Sequence, residues 1–440
     1  MKLFGTNGVR GVVNQDLTPE LAMKLSMSLG TFMRGTVAIG QDTRISGNML
    51  SYAATAGLLA TGCKVINVGV APTPTIQYFV RDSADAGVVI TASHNPREYN
   101  GLKFVAGDGT EFDSDAELVV EDIYYKGDFN LVNWRETGEM STVDIIPAYI
   151  DGILHKVNSE MIKEGGFNVA VDTGCGAGSL VTPFMLSKVG CKVTTLNAQL
   201  DGTFPSRQPE PTEDVLAELS GAVVSLGADL GVAHDGDADR SVFIDEKGNF
   251  VNEDVLLAII VKHVLSKKTG VVVTPVSSSQ RIVDVAEESN SNVVWTPVGS
   301  IYVARTMKKL NAVIGGEGNG GIIFPEHQYC RDGAMTVAKV LEIMAEKNKK
   351  MSELADEVPT YFMEKAKVKC EDRDLLMQTV LSSASGNIDT TDGAKIWYDD
   401  GWLLIRPSGT EPIVRIFAEA RTKNRVNELL EMGLDMTKGC

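Results

Sequence analysis

Hydrophobic and polar positions recur along this chain in one order: a short β-branched run, a polar or glycine-rich turn, a stretch of helical period, a glycine, then another β-branched run. Val37-Ala38-Ile39 leads through the turn Gln41 to Gly47 and a helix ending near Thr61 to Gly62-Cys63-Lys64-Val65. Val169-Ala170-Val171 leads through Asp172 to Gly178 and a helix ending near Val189 to Gly190-Cys191-Lys192-Val193, which repeats the same tetrapeptide. A more diverged copy runs from Val271-Val272-Val273 through Ser277-Ser278-Ser279 to Val293-Val294-Trp295. Such units predict parallel or mixed sheets covered by helices, and three copies predict three related α/β domains.

The last part differs. A helical stretch around Leu375 to Leu381, a hairpin of Lys395 to Tyr398 and Trp402 to Ile405 turning at Asp399-Asp400-Gly401, a strand Val414 to Ala420 and a final helix predict a small α+β domain. Boundaries fall near residues 150, 252 and 366, giving segments 1–150, 151–252, 253–365 and 366–440. At ~150 residues per domain, 440 residues leave room for several cores.

Charge narrows the partners. The 41 Lys and Arg against 58 Asp and Glu leave a net charge of −17, which disfavours nucleic acid and anionic membranes. The densest basic run, Lys347, Lys349 and Lys350, reads as a solvated helix end. The longest apolar run, Val255 to Val261, is far short of the ~18 residues of a membrane helix, and no leader opens the sequence, so a cytoplasmic protein is expected. Six cysteines without a C-x-x-C pair read as free thiols in a reducing compartment and imply no zinc.

Four segments carry chemistry. Thr91-Ala92-Ser93-His94-Asn95-Pro96 follows the strand Gly87 to Ile90, where open α/β sheets place ligands. Ser93 is a candidate nucleophile and His94 or Lys103 a candidate proton handler; the alternative is an ordinary Asn-Pro turn. Asp235-Gly236-Asp237-Ala238-Asp239-Arg240 follows the strand Leu230 to His234, and alternate carboxylates on an extended segment converge on a hard cation, favouring Mg²⁺. An EF-hand fails, because Arg240 stands at the position that requires glycine. A haloacid-dehalogenase-type phosphatase is disfavoured by Asp239, where that motif has Thr or Val.

Arg406-Pro407-Ser408-Gly409-Thr410-Glu411-Pro412, with Arg415, supplies the donors of a phosphate clamp. Glu317 and Asn319 in a Gly-rich loop after Ala312-Val313-Ile314 are candidate sugar contacts; the alternative is a plain connection. No G-x-G-x-x-G opens a helix after a first strand, so dinucleotide binding is not indicated. A nucleophile, a cation cage, a polyol contact and a phosphate clamp together ask for phosphoryl transfer on a sugar phosphate.

On these residues, with Phe4-Gly5-Thr6-Asn7-Gly8-Val9-Arg10-Gly11 and Tyr99-Asn100-Gly101-Leu102-Lys103, the chain resembles the α-D-phosphohexomutase family over nearly its whole length. The resemblance implies three similar mixed α/β sheet domains plus a C-terminal α+β domain around a central cleft. It implies that Ser93 carries a phosphoryl group, that Asp235, Asp237 and Asp239 hold one Mg²⁺ with that phosphate, and that Lys103 and His94 assist proton transfer. Arg10 and Arg240 would steady the charge; Glu317 and Asn319 would contact the sugar, and Gly299 would help bind the substrate; Arg406, Ser408, Gly409, Thr410 and Arg415 would bind the non-reacting phosphate. A hexose bisphosphate would serve as activator and intermediate, and the protein would be a monomer or homodimer.

The opening and the Arg406 loop are most similar to the family's phosphoglucosamine mutase branch, archaeal type, implying interconversion of glucosamine 6-phosphate and glucosamine 1-phosphate. Phosphomannomutase/phosphoglucomutase activity is the alternative. Gly320 and Gly321 depart from the His found after the Glu in bacterial members, and Pro297 stands where several phosphomannomutase/phosphoglucomutase members have Lys. A sugar-phosphate phosphatase or a non-catalytic sugar-phosphate sensor stays open as another class.

Overall fold

The computed structural model describes residues 3–5, 7–384, 386–408 and 412–438. The chain packs into two units, residues 1–252 with 320–355, and 253–319 with 356–440.

The first unit contains two sheets of one design. In the first, the strands run in the order Val9–Val12, Tyr99–Ala106, Ala86–Ile90, Thr36–Gln41, Lys64–Val70, Met140–Thr142. In the second the order is Phe250–Val251, Ser241–Ile244, Leu230–His234, Asn168–Asp172, Lys192–Leu196. Each has a parallel trio followed by antiparallel strands: Ala86–Ile90 turns into Tyr99–Ala106, and Leu230–His234 turns into Ser241–Ile244. In the second unit, Val271–Pro275 lies between parallel Asn292–Thr296 and Ile314–Glu317, repeating the trio. The Ser93 loop, the Asp235 loop and the Glu317 loop therefore leave the same strand of three repeats. Topology thus supports the duplication that the shared tetrapeptide suggests.

Parallel strands buried on both faces need near-continuous apolar runs, as in Ala86–Ile90, whose five residues are all buried. Local signals set the helix ends. Thr18 and Asp113 accept from the amides of Leu21 and Ala116, and Gly127 closes its helix with a left-handed φ of 66°. Among the described residues, no helix is long and apolar enough to cross a membrane.

The end of the second unit is a five-stranded antiparallel sheet, ordered Phe362–Lys369, Ile413–Ala420, Gly401–Pro407, Ala394–Tyr398, Asn387–Asp389. One face buries Ile396, Leu403, Ile405, Val414 and Ile416 together with Leu376, Val380, Val426 and Leu429 of two helices. The other packs Trp402 and Leu404 on Val276. Phe362–Lys369 is not among the strands read from the pattern, because five of its eight residues are Lys, Glu or Met at an edge.

One expectation is corrected. Cys63, Cys175, Cys191 and Cys330 are free and buried, but Cys370 is disulfide-bonded. The lack of a C-x-x-C pair excludes only short bridges, so spacing did not reveal that Cys370 is bonded.

Candidate active site

In the first unit the structure brings Ser93, His94, Lys103, Arg10, Arg240, Asp235, Asp237 and Asp239 together. Ser93 Oγ donates to Asp235 Oδ2 at 2.8 Å and lies 3.3 Å from His94 Nδ1. Lys103 Nζ donates to Asp237 Oδ2 at 2.9 Å and is 3.7 Å from Asp239 Oδ2. Arg10 Nη1 donates to Asn95 Oδ1 at 2.7 Å and to Ala92 O at 3.2 Å, bracing the serine loop. Arg240 Nη2 donates to His94 Nδ1 at 3.0 Å, so that nitrogen carries no proton. Burial, with the charges of Arg240, Arg10 and Arg331, pulls His94 down to about 2; the ring is neutral.

Both loops are bent where few L-residues go. Ser93 has φ 52° and Ala238 φ 54°, each in the left-handed region at a cost of ~1–3 kcal/mol. Gly236 permits their approach, since a Cβ there would lie 2.7 Å from Ser93 O. The two strained turns face each other because glycine leaves room between them.

The three aspartates are buried and offer oxygens within 4.8 Å of one another, the one such group among the described residues. Burial and the charges of Asp237 and Asp239 push the Asp235 carboxyl well above the usual range. Burial would raise Asp237 too, but Lys103, a hydroxyl bond from Thr73 and Arg10 hold it below that range. Burial likewise opposes the charged form of Lys103, yet Asp237 and Asp239 raise it, so it is an ammonium. Asp237 Oδ1 and Asp239 Oδ1 are buried without a hydrogen-bond partner among the described residues. Orphaned carboxylate oxygens on a hard-oxygen donor set fit Mg²⁺.

Several contributors escaped the sequence reading. Thr73 donates to Asp237 Oδ2 at 2.6 Å, and its amide to Asp237 O at 2.9 Å. Arg331 pairs with Asp239. Only a turn rich in Pro and Thr and an Arg before the helix-capping Asp332 marked them, and neither signal points to a cation site.

In the second unit, Glu317 is buried at the end of its strand and its carbonyl accepts from Asn319 N at 2.7 Å. Gly299, at φ 140°, starts the helix Ser300–Leu310. Arg406 lies directly across from Arg415, which lies across from Lys367, making a cationic row on three strands. Like charges so placed repel unless an anion neutralises them. Asp392 accepts from Arg406 Nε at 3.0 Å and from Val298 N at 2.9 Å, tying the row to the Gly299 turn. Ser408 N donates to Ile413 O at 2.9 Å. Gly409 and Thr410 lie outside the described residues.

A hydroxyl against a buried carboxylate trio, on repeated α/β sheets, defines an α/β enzyme class suited to phosphoryl transfer. The sequence matches the family profiles described as phosphoglucomutase/phosphomannomutase alpha/beta/alpha domain I over residues 1–131, domain II over 147–248, domain III over 252–362 and the C-terminal domain over 362–435. The chain belongs to the phosphoglucomutase/phosphomannomutase family and is an isomerase of the mutase type. It is 48% identical to a phosphoglucomutase/phosphomannomutase of Thermococcus kodakarensis, covering 99% of this chain and 98% of that protein. It is 43% identical to a phosphoglucosamine/phosphogalactosamine mutase of Sulfurisphaera tokodaii, covering 98% and 97%. The crystal structure of a phosphoglucomutase/phosphomannomutase family protein from Burkholderia thailandensis superposes with TM-score 0.90 at 25% identity, covering 100% and 98%.

Proposed function

We propose that this mutase interconverts glucosamine 6-phosphate and glucosamine 1-phosphate, with Ser93 as the phosphoryl carrier and a hexose bisphosphate as intermediate. The observation that carries the mechanism is Ser93 Oγ on Asp235, one of three buried carboxylates with orphaned oxygens beside it. Asp235, Asp237 and Asp239 hold Mg²⁺, which when bound neutralises charge on the transferring phosphoryl group. Lys103, kept charged, is the proton donor to a leaving oxygen, and Arg10 and Arg240 steady the serine loop and His94. Arg406 and Arg415, with Ser408, Gly409 and Thr410, take the phosphate that does not react. Glu317, Asn319 and Gly299 contact the sugar.

The amino sugar is favoured by the opening motif, the Arg406 loop and the name of the Sulfurisphaera relative. Glucose and mannose phosphates are the second reading, favoured by the higher identity to the Thermococcus protein. ³¹P NMR of the Mg²⁺-loaded protein, primed with a catalytic amount of hexose bisphosphate, tests both against glucosamine, glucose and mannose 6-phosphates. A 1-phosphate signal growing fastest from glucosamine 6-phosphate is the expected result. Faster glucose or mannose turnover selects the second reading, and release of inorganic phosphate alone overturns the mutase role.

A further inference from the structure

Two buried arginines outside the site take hold of the two loops that form it. Arg44 is 2% exposed and uses its whole guanidinium on backbone and one carboxylate. Nη1 donates to Pro96 O at 2.7 Å and Tyr99 O at 2.8 Å; Nη2 donates to Ser93 O at 2.8 Å and Asn95 O at 2.7 Å. Nε donates to Asp42 Oδ2 at 3.1 Å. The same Asp42 oxygen accepts from Thr91 Oγ1 at 2.6 Å, and Thr91 Oγ1 accepts from Ser93 N at 2.8 Å. Both the carbonyl and the amide of Ser93 are therefore tied to one buried carboxylate. That is the residue whose backbone is held at a left-handed φ.

The second repeat carries the same device. Arg207 Nε donates to Asp172 Oδ2 at 2.9 Å, and its Nη2 donates to His234 O at 2.7 Å, directly before Asp235. The His234 ring closes the loop from inside. Its Nδ1 is 2.9 Å from Arg240 O, an acceptor, so Nδ1 bears the proton, and Nε2 accepts from Thr182 Oγ1 at 2.8 Å. Asp42 follows the strand Thr36–Gln41 and Asp172 ends Asn168–Asp172, the corresponding strands of the two sheets.

The two clamps touch. Segment 201–209, which carries Arg207, lays Phe204 against the Arg44 guanidinium at 5.3 Å and bridges Arg44 to Gly202. A Cβ on Gly202 would lie 2.2 Å from Thr43 O, so only glycine allows that approach. One continuous set of contacts thus runs from the Ser93 backbone to the start of the aspartate loop.

We propose that Arg44 and Arg207, each fixed by its aspartate, are positioning residues that set where Ser93 stands relative to Asp235, Asp237 and Asp239. The inference rests on the reading of Ser93 as phosphoryl carrier. A planar fork with five donors can hold four carbonyls at once; an ammonium with three cannot, although it keeps the charge. Displacement of reacting groups by about 1 Å costs on the order of a hundredfold in rate.

The test uses full-length Arg44→Lys and Arg207→Lys, with Asp42→Asn as a near-isosteric variant should either lysine variant fold poorly. Folded Arg44→Lys is expected to lose about a hundredfold in kcat with KM for sugar phosphate within about twofold, and to shift the phosphoserine ³¹P resonance. Arg207→Lys is expected to weaken Mg²⁺ binding by about tenfold, measured by calorimetry without substrate. Asp42→Asn should shift the same resonance. Unchanged kcat, ³¹P shift and Mg²⁺ affinity in folded variants, with only a lowered melting temperature, overturn the proposal. Wild-type protein assayed alongside separates the two failures: absent isomerisation there defeats the functional reading, while Mg²⁺ affinity still reports on the Arg207 clamp.

Discussion

Ser93 and Asp235, separated by 142 positions in the chain, are joined by a 2.8 Å hydrogen bond from hydroxyl to carboxylate. Each sits just past the third parallel strand of its own repeat, so the duplicated sheet design brings the serine loop and the aspartate loop into register.

Replacing Ser93 by alanine removes the hydroxyl proposed as phosphoryl carrier and leaves the carboxylate trio intact. Ser93→Ala is expected to lose isomerisation entirely while still binding Mg²⁺ and sugar phosphate, as read by ³¹P NMR and calorimetry. Undiminished turnover would exclude a covalent mechanism through this residue.

Gly236 matters for space. A methyl group there would meet Ser93 O at 2.7 Å, and backbone cannot yield as the end of a flexible side chain can. Gly236→Ala is expected to push the two loops apart, lowering kcat by about a hundredfold, with a loss of stability of about 1–3 kcal/mol in urea titration. Wild-type kcat in this variant would show that the loops need not approach so closely.

Lys395 supplies a pH dependence away from the site. Its Nζ lies over Trp402 at 3.9 Å and over Trp295 and Trp397 at 4.3 Å each, and donates to Val276 O at 2.8 Å. Burial pulls it down from 10.5 to about 7, against Glu419, Asp389 and Asp254, which raise it. Between those values the unfolded chain holds a proton that the folded chain has released. Folding stability from this group therefore rises with pH across the window, by at most about 1.4 kcal/mol per unit, and is level below it. Lys395→Met lacks that contribution. Urea midpoints taken across the window should show wild type gaining on the variant as pH rises; parallel curves would contradict the depressed pKa.

The cationic row shows how little a linear pattern exposes of what register brings together. Arg406 and Arg415 were legible as donors because their loop is rich in hydroxyls and glycine, whereas nothing in the sequence around Lys367 marks it as their neighbour. Register places all three side by side. Thr73, Arg44 and Arg207 were invisible for a similar reason: although Asp42 lies two positions from Arg44, the loop carbonyls that Arg44 and Arg207 hold and the carboxylate that Thr73 meets are far away in sequence, and nothing in the local composition records a carbonyl's direction.

By itself, the sequence determined the repeating strand–turn–helix plan, the hairpin-bearing last segment, and the residue types of the Ser93, Asp235, Glu317 and Arg406 loops. Those features are local: side-chain periodicity, turn chemistry and closely spaced carboxylates act within a few residues. Only the tertiary structure decided that Ser93 and Asp235 meet, that Lys103 is held charged and His94 neutral, and that two buried arginines grip the loops. These depend on burial and on distances across repeats, where a desolvated charge keeps its state only through partners the fold delivers.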